Sequence, residues 1–307
     1  VTRFEEIRHQ LAAPLIAAPM FLVSGPDLVL AACRAGVIGA FPTANARTSD
    51  ELATWLTRIR AERPADSGAV AANLIVHPGN ARLREDLDTL CEQPTDIVIT
   101  SVGSPAEVVE PLHAVGALVF ADIASVRHAR RAIEVGVDGL ILLSAGAGGQ
   151  TGWANPFAFV RSLREFYDGP LVLAGGISDG VALRAALTLG ADLAYMGTKF
   201  LATRESMAPD EHKRMVAASS LDDIVLTSAF TGLPTSMLAP SIQALGIDLN
   251  ALQRNGTDIG ALPAQAGVTS AWRDLYSAGH STGGVHDVIT VAELVERTMK
   301  ELQGQQR

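Results

Sequence analysis

Cysteine is scarce in this sequence: Cys33 and Cys91 are the only two in 307 residues. They stand in unrelated segments with no CxxC spacing and no Cys/His pattern, so a zinc site, a redox pair and a disulfide scaffold all lack their residues. Each reads as a buried thiol. Long apolar runs are missing too. The longest, LAAPLIAAPMFLV, covers residues 11–23 and is broken by Pro14 and Pro19, against the roughly 20 residues a spanning helix needs. It has neither a basic leader nor a clear cleavage site, so a soluble, cytoplasmic protein without membrane contact is expected. Positive charge is short as well: 24 Lys and Arg against 33 Asp and Glu give a net charge of −9. No basic cluster offsets it, which argues against a nucleic-acid partner. The chain has no HExxH, and Asp222-Asp223 lacks a third ligand at metal spacing, so no metal is expected. Ser144 and Ser178 stand outside any GxSxG, which removes the hydrolase elbow.

What the chain does have is apolar bulk. Apolar residues make up 48% and charged residues 19%, enough for a large core and against disorder except in the tail ELQGQQR. The length exceeds one ordinary core of about 100 to 200 residues, but α/β barrels run to roughly 250 as one domain. Short aliphatic runs recur, each followed by a helical pattern, the mark of βα units and a parallel sheet. Strands are read at 15–20, 37–41, 70–76, 96–101, 117–123, 139–144, 170–176 and 193–198. Between them lie helical stretches such as PDLVLAACRAG, SDELATWLTRIRAE and DGVALRAALTLG, several with glycine just past the last apolar position, where a left-handed residue ends a helix. Eight buried strands alternating with helices predict an α/β fold, a TIM (β/α)8 barrel. The rhythm breaks after the eighth strand. ESMAPDEHKRMVAASS reads as a helix, SLDDIVLTSAFTG as a short extended piece, and SMLAPSIQALGIDLNALQRNG as helices and turns. The expected division is a barrel over 1–204 and 271–307 with a small helical insertion, a lid, over 205–270, at the rim where barrel sites lie.

Function in such a barrel sits in the βα loops. The first strand ends in Ala18-Pro19-Met20, a Pro-fixed bend that exposes backbone groups. The third passes Asn73, whose amide can donate and accept together, and the fifth ends at Asp122. The seventh ends in Gly175-Gly176-Ile177-Ser178 and the eighth in Met196-Gly197-Thr198, the pair of loops that in many barrels hold a phosphate through backbone N–H groups. Without a Cβ these glycines admit a phosphate oxygen close to the main chain, and Thr198 adds a hydroxyl. The same glycines could serve tight turns alone. The sixth loop, SAGAGGQTGWANPF at 144–157, does not run straight from GxGxxG into a helix, so the dinucleotide fingerprint is weak. Asn155 and Pro156 start the helix later, as N-cap and N1. The glycine stretch is left to lie flat against a planar ligand.

Taken in order, APM at the first strand, AGAGGQTG at the sixth, LAGGISDG at the seventh, YMGTKFLAT at the eighth and WRDLYSAGHSTGG near the end resemble the FMN-dependent nitronate monooxygenases, formerly called 2-nitropropane dioxygenases. The similarity spans most of the chain and is weakest across 205–265. It implies one FMN at the C-terminal mouth of a TIM barrel with a helical lid, and oxidation of alkyl nitronates with O2 through a flavin semiquinone. Carried over by position, Ala18, Pro19 and Met20 would contact the isoalloxazine and Asn73 would bind its polar edge, with Asp122 in the same cofactor-binding set. Ala145, Gly148 and Gly149 would line the ring. Gly175, Gly176, Gly197 and Thr198 would hold the phosphate, with Ser277, Ala278 and Gly279 closing over it. Where the best-studied class of the family has a histidine after two glycines, this chain has Gln150, which hydrogen-bonds both ways but carries no proton at neutral pH. Gln150 is therefore the catalytic and substrate-binding candidate, compatible with a preformed nitronate and not with proton abstraction from a neutral nitroalkane. His280 is the candidate replacement for the missing histidine, and Trp153 the candidate wall of the substrate site.

The same architecture also resembles flavin-type enoyl-acyl-carrier-protein reductases and related NAD(P)H-dependent reductases of acyl-CoA or ring-degradation intermediates, in which the cofactor carries the chemistry and the protein orients it. A cofactor-free binding barrel is a third reading, against which the intact glycine loops stand. The expected partner is a small-molecule substrate, and a homodimer is compatible with this reading. His77, just after the third strand, is on the correct rim to face a ligand; His128 reads as a solvated helix residue and His286 as a loop residue.

Overall fold

The computed structural model describes residues 1–249 and 275–304. The eight expected strands are β1 (Leu15–Ala17), β2 (Ile38–Pro42), β3 (Val70–Ile75), β4 (Ile97–Ser101), β5 (Leu118–Ile123), β6 (Gly139–Leu143) and, after a two-residue strand β7 (Gly149–Gln150), β8 (Leu171–Ala174) and β9 (Leu193–Met196). They run parallel and close into a barrel, with Ile16 of β1 in register with Tyr195 of β9 and with Ile38 of β2. This is the TIM barrel. Its strands are aliphatic on both faces because both faces are covered, as a parallel sheet requires.

Alternate residues of a strand face opposite sides. Ile16, Ala71, Ile99, Phe120, Val172 and Leu193 fill the barrel interior, whereas their neighbours Ala17, Ala72, Val98, Val119 and Leu171 pack against the helices. Phe120 is fully buried, and cutting such a side chain back to alanine costs about 3–5 kcal/mol. The helices begin at side-chain caps: Thr48 before Ser49–Glu62, Ser125 before Val126–Glu134, and Asp179 before Gly180–Leu189. Asn155 accepts from the N–H groups of Phe157 and Ala158 at the head of Pro156–Arg164.

One helix was not foreseen. Arg3–Gln10 starts with a capping box between Thr2 and Glu5, and its Phe4 and Ile7 join the barrel interior beside Ala69 and Leu118 at the strand starts. The Phe4 and Phe120 rings lie 5.9 Å apart, so this helix plugs the end of the barrel opposite the C-terminal mouth.

Beyond β9 come a helix at Asp210–Ala218 and two more strands, β10 (Ile224–Thr227) and β11 (Thr235–Leu238), in an antiparallel sheet of order β10-β11-β7. The stretch SML, expected in helices and turns, is therefore strand, and helix starts only at Ala239. Pairing on both sides accounts for the difference: Met237 faces Val225 in β10, and Thr235 faces Gln150 in β7. The glycine loop after the sixth barrel strand is thus the third strand of a mixed helix and sheet unit. Residues 250–256 of the expected helices and turns, and the expected boundary at 270–271, lie outside the described residues. The closing helix, Val291–Leu302, packs beside Pro26–Arg34 and Gly180–Leu189. Among the described residues no helix is long and apolar enough to cross a membrane.

Candidate active site

Two residues past the interior layer, each strand end supplies one more inward-facing side chain. Ala18, Pro42, Asn73, Ser101, Asp122, Leu143, Ala174 and Tyr195 continue the register of the interior core and together floor a cavity of about 500 Å³ at the C-terminal mouth. That volume is in the range of small-ligand and cofactor sites.

The loops after β8 and β9 form one wall. Gly175 and Gly176 have φ of 118° and 71°, in the left-handed region that glycine enters without strain. A Cβ on Gly175 would come 2.5 Å from Ser144 Oγ, whereas one on Gly176 would meet nothing within 4 Å. Gly176 lines the cavity, so its bare backbone leaves open a space that a side chain would fill. The amides of Gly176, Ile177, Gly197 and Thr198 donate to no group among the described residues. Gly279 N–H donates to Thr198 Oγ1 at 2.9 Å, which leaves the Thr198 hydroxyl proton free to donate in turn. Four bare amides and a hydroxyl at adjacent strand ends suit a phosphate.

The sixth loop and the C-terminal segment meet backbone to backbone. A Cβ on Gly148 would sit 2.8 Å from the Gly279 nitrogen. Gly148, Gly149 and Gln150 line the cavity, as do Ser277 and Ala278. The Gln150 side chain has no hydrogen-bond partner among the described residues. Four expected site residues lie elsewhere. Ala145 is turned out of the wall, its N–H donating to Ala154 O at 2.8 Å, and Leu143, Gly146 and Ala147 line the cavity instead. Gly279 packs behind the wall against Gly146 and Gly148. Trp153 is 84% exposed and outside the cavity. His280 points away: its N–H donates to Gly146 O at 2.9 Å, and its side chain borders an outer cleft with Arg184, His286 and Arg297. It therefore does not supply the missing imidazole at this cavity. His77 is also outside the wall, accepting from Gly79 N–H through Nδ1 at 3.0 Å.

The remaining polar groups set the electrostatics. Asn73 Nδ2 donates to Ile99 O at 3.2 Å and Ser101 Oγ at 3.1 Å. Both amide hydrogens are thereby engaged within the barrel, and Oδ1 accepts from Ser101 Oγ at 3.4 Å, so what Asn73 offers a ligand is the second lone pair of Oδ1, not the expected donor and acceptor together. Asp122 Oδ1 is buried with no partner, and burial pushes its carboxyl up to about 7. Tyr195 is driven well above the ordinary phenol range by burial and by the neighbouring Asp122. His212, from the helix after β9, is pressed down to about 4 by burial, against the opposing pull of the Ser277 carbonyl. It stacks on Tyr276 at 4.3 Å and bonds Ser277 O through Nε2 at 3.0 Å. Among the described residues the wall holds no lysine or arginine.

Ser101, Tyr195 and His212 were not singled out in the sequence. Ser101 and Tyr195 carry a readable signal, since counting by twos from the interior residues of DIVITS and LAYMGT reaches both. His212 carries none, because its helix reaches the mouth only through the tertiary fold. Two strained residues also border the cavity: Leu22 and Val102 are the only non-glycine residues with positive φ among the described residues, at 60° and 59°.

The layout is that of a barrel enzyme worked from its mouth, and comparison with known proteins makes it an oxidoreductase. The chain belongs to the nitronate monooxygenase family, whose pattern it matches over residues 65–301. It is 29% identical over 289 residues to a (3aS,4S,5R,7aS)-5-hydroxy-7a-methyl-1-oxo-octahydro-1H-indene-4-carboxyl-CoA dehydrogenase of Rhodococcus jostii, spanning 94% of this chain and 78% of that one. It is 26% identical over 283 residues to a nitronate monooxygenase of Paraburkholderia phytofirmans, spanning 76% of each. Among solved structures, FabK from Thermotoga maritima superposes with a TM-score of 0.84 at 25% identity, over 99% of this chain and 96% of that one. Nitroalkane oxidase from Streptomyces ansochromogenes does so with a TM-score of 0.82 at 25% identity, over 99% of both.

Proposed function

We propose that the protein is an FMN-dependent oxidoreductase acting on the carbon–carbon bond beside an acyl thioester, with NAD(P)H as its redox partner. The residues suit the flavin. The amides at Gly176, Ile177, Gly197 and Thr198, with the Thr198 hydroxyl, would hold the phosphate. Ala18, Pro19, Met20, Gly148 and Gly149 would flank the ring, and Asn73 Oδ1 would accept from its polar edge. Bound there, FMN would supply two-electron exchange between a nicotinamide and the substrate. The protein's own part is to position both partners and exclude water. Gln150 would hold a substrate carbonyl by its amide N–H, and residues 205–249 with the segment at 275–279 would cover the mouth as a lid.

One observation carries the choice of substrate. Nitronate oxidation, which the sequence resemblance put first, asks this wall to hold a small anion, yet the described residues offer that anion no lysine or arginine. An anion taken from water without a counter-charge is strongly disfavoured, whereas a neutral thioester carbonyl needs only a hydrogen bond. The CoA-thioester substrate named for the Rhodococcus jostii relative points the same way.

The test is anaerobic. The FMN-loaded protein should lose its flavin absorbance on mixing with NADH or NADPH and regain it with an unsaturated acyl-CoA. Loss of absorbance with an alkyl nitronate, and none with either nicotinamide, would establish nitronate oxidation in its place.

A further inference from the structure

Asp122 is the acidic residue of the cavity floor for which the protein supplies no partner. Its Oδ1 is sealed from solvent with no donor in reach. The strand register explains why. Asp122 lies opposite Ile141 of β6, and the next inward-facing residues on either side are Ser101 and Leu143. Ser101 Oγ is engaged with Asn73, and Leu143 has no polar side-chain atom. Across the floor stands Tyr195, whose phenol the charge of Asp122 would push further up. No cation lies in the described wall.

Such a site selects between the two forms of a carboxyl group. A carboxylate there leaves its sealed Oδ1 without water, cation or amide in compensation, whereas the neutral acid loses much less. The neutral acid brings the floor a donor on the side of the barrel across from the Tyr195 phenol. Asn73 has turned both its N–H groups inward, so Asp122 and the Tyr195 phenol are the floor side chains left to donate beside the acceptor Asn73 Oδ1. A heteroaromatic ring that carries both carbonyl oxygens and N–H groups, as FMN does, would meet one of each.

We propose that Asp122 enters the complex as the neutral acid and donates its proton to an acceptor atom of the ligand on the cavity floor, so that ligand binding and proton binding are coupled. This rests on the FMN reading above and adds a property which that reading does not require. Free protein that has lost the Asp122 proton must take one up in order to bind. The burial that lifts its carboxyl to about 7 puts the crossover near neutral pH, above which affinity falls by about tenfold per pH unit.

Calorimetric titration of the ligand-free protein with FMN at pH 8, in two buffers of different ionisation enthalpy, counts the protons directly. The wild type should take up close to one proton, and Asp122→Asn, which keeps a neutral N–H donor, close to none. Flavin fluorescence titrations between pH 6.5 and 8.5 give the second readout. Kd of the wild type should rise about tenfold per unit at the upper end relative to Asp122→Asn, a comparison that removes the ionisation of the FMN phosphate. The wild-type proton count decides the matter even if the variant fails to fold. No proton uptake at pH 8, or parallel Kd curves for the two proteins, overturns the proposal while leaving FMN binding intact. Failure of the wild type to bind FMN at any pH overturns the flavin reading and this inference with it.

Discussion

Gln150 lies opposite Thr235 in the short ladder that ties the glycine loop to the sheet beyond β9. The backbone at 150 is therefore set by the insertion and not by its own side chain. Gln150→His should fold like the wild type and place an imidazole at the cavity wall. Neutral nitroalkane turnover is expected to appear only in the variant, rising with pH through about 6.5 as the imidazole becomes a base. Thioester turnover should fall by up to about tenfold, the worth of a hydrogen bond to a neutral group. Steady-state kinetics on both substrate classes checks this, and unchanged thioester turnover would place the Gln150 amide away from the substrate.

Two glycines separate ligand binding from architecture. Gly176→Ala adds a Cβ that meets no protein atom within 4 Å, but it does so at φ 71° and toward the cavity. The ligand-free protein should lose about 1 kcal/mol from backbone strain, while FMN affinity falls at least tenfold. Gly148→Ala sets a Cβ 2.8 Å from the Gly279 nitrogen, so it should lower the melting temperature whether or not FMN is present. Thermal unfolding with and without FMN tells the two apart. A Gly176→Ala protein that binds FMN like the wild type would remove the phosphate from that loop.

The legible part of this molecule was its barrel. Strand and helix periods are local, and runs such as GLILL and PLVLA can be buried on both faces only in a covered parallel sheet. The first strand, Leu15–Ala17, is shorter than its composition predicts, because Ala18-Pro19-Met20 continues the apolar run after the chain has turned. What could not be read was whatever a partner strand creates. Gly149-Gln150 has no β propensity of its own and is strand only because Ser236 and Thr235 pair with it. Loop direction was hidden in the same way. His280 stands one residue past Gly279, and its orientation away from the cavity follows from the backbone bond to Gly146 O, which spacing cannot reveal. The hydrogen-bond state of Asn73 and the orphaned oxygen of Asp122 are properties of the adjacent strands.

Leu22 and Val102 hold strained backbone at the cavity edge. The strain at Leu22 is latched: its N–H donates to Asn45 Oδ1 at 2.8 Å, and Asn45 Nδ2 donates to Met20 O and Ser24 O. Val102, a β-branched residue at φ 59°, is the less comfortable of the two. Val102→Gly should stabilise the ligand-free protein by about 1 kcal/mol, and by taking an apolar side chain from the cavity wall it should raise KM for a long acyl substrate. Urea unfolding and substrate titration measure both effects. A variant less stable than the wild type would mean that Val102 contributes more by packing than it loses to strain.

His212 and Asp122 give the ligand-free protein opposite pH dependences. The folded state holds His212 at about 4 against an ordinary 6.5, so the stability this group contributes is complete above about 6.5 and is lost as pH falls toward 4. The full loss is about 3 kcal/mol. Asp122 is raised to about 7 from 3.8, so its contribution is complete below about 3.8 and is lost as pH rises through 7. Between about pH 4 and 6.5 the two slopes oppose each other, and their joint contribution should be nearly flat. Asp122→Asn removes the falling limb, and its stability should climb relative to the wild type as pH rises through that window. His212→Asn removes the rising limb, and its stability should decline relative to the wild type over the same range. Urea unfolding of the three proteins at half-unit pH steps gives the difference curves, in which the other titrating groups cancel. If Asp122→Asn tracks the wild type throughout, the carboxyl titrates in the folded protein as it does in water, and the cavity floor is wetter than its orphaned oxygen implies.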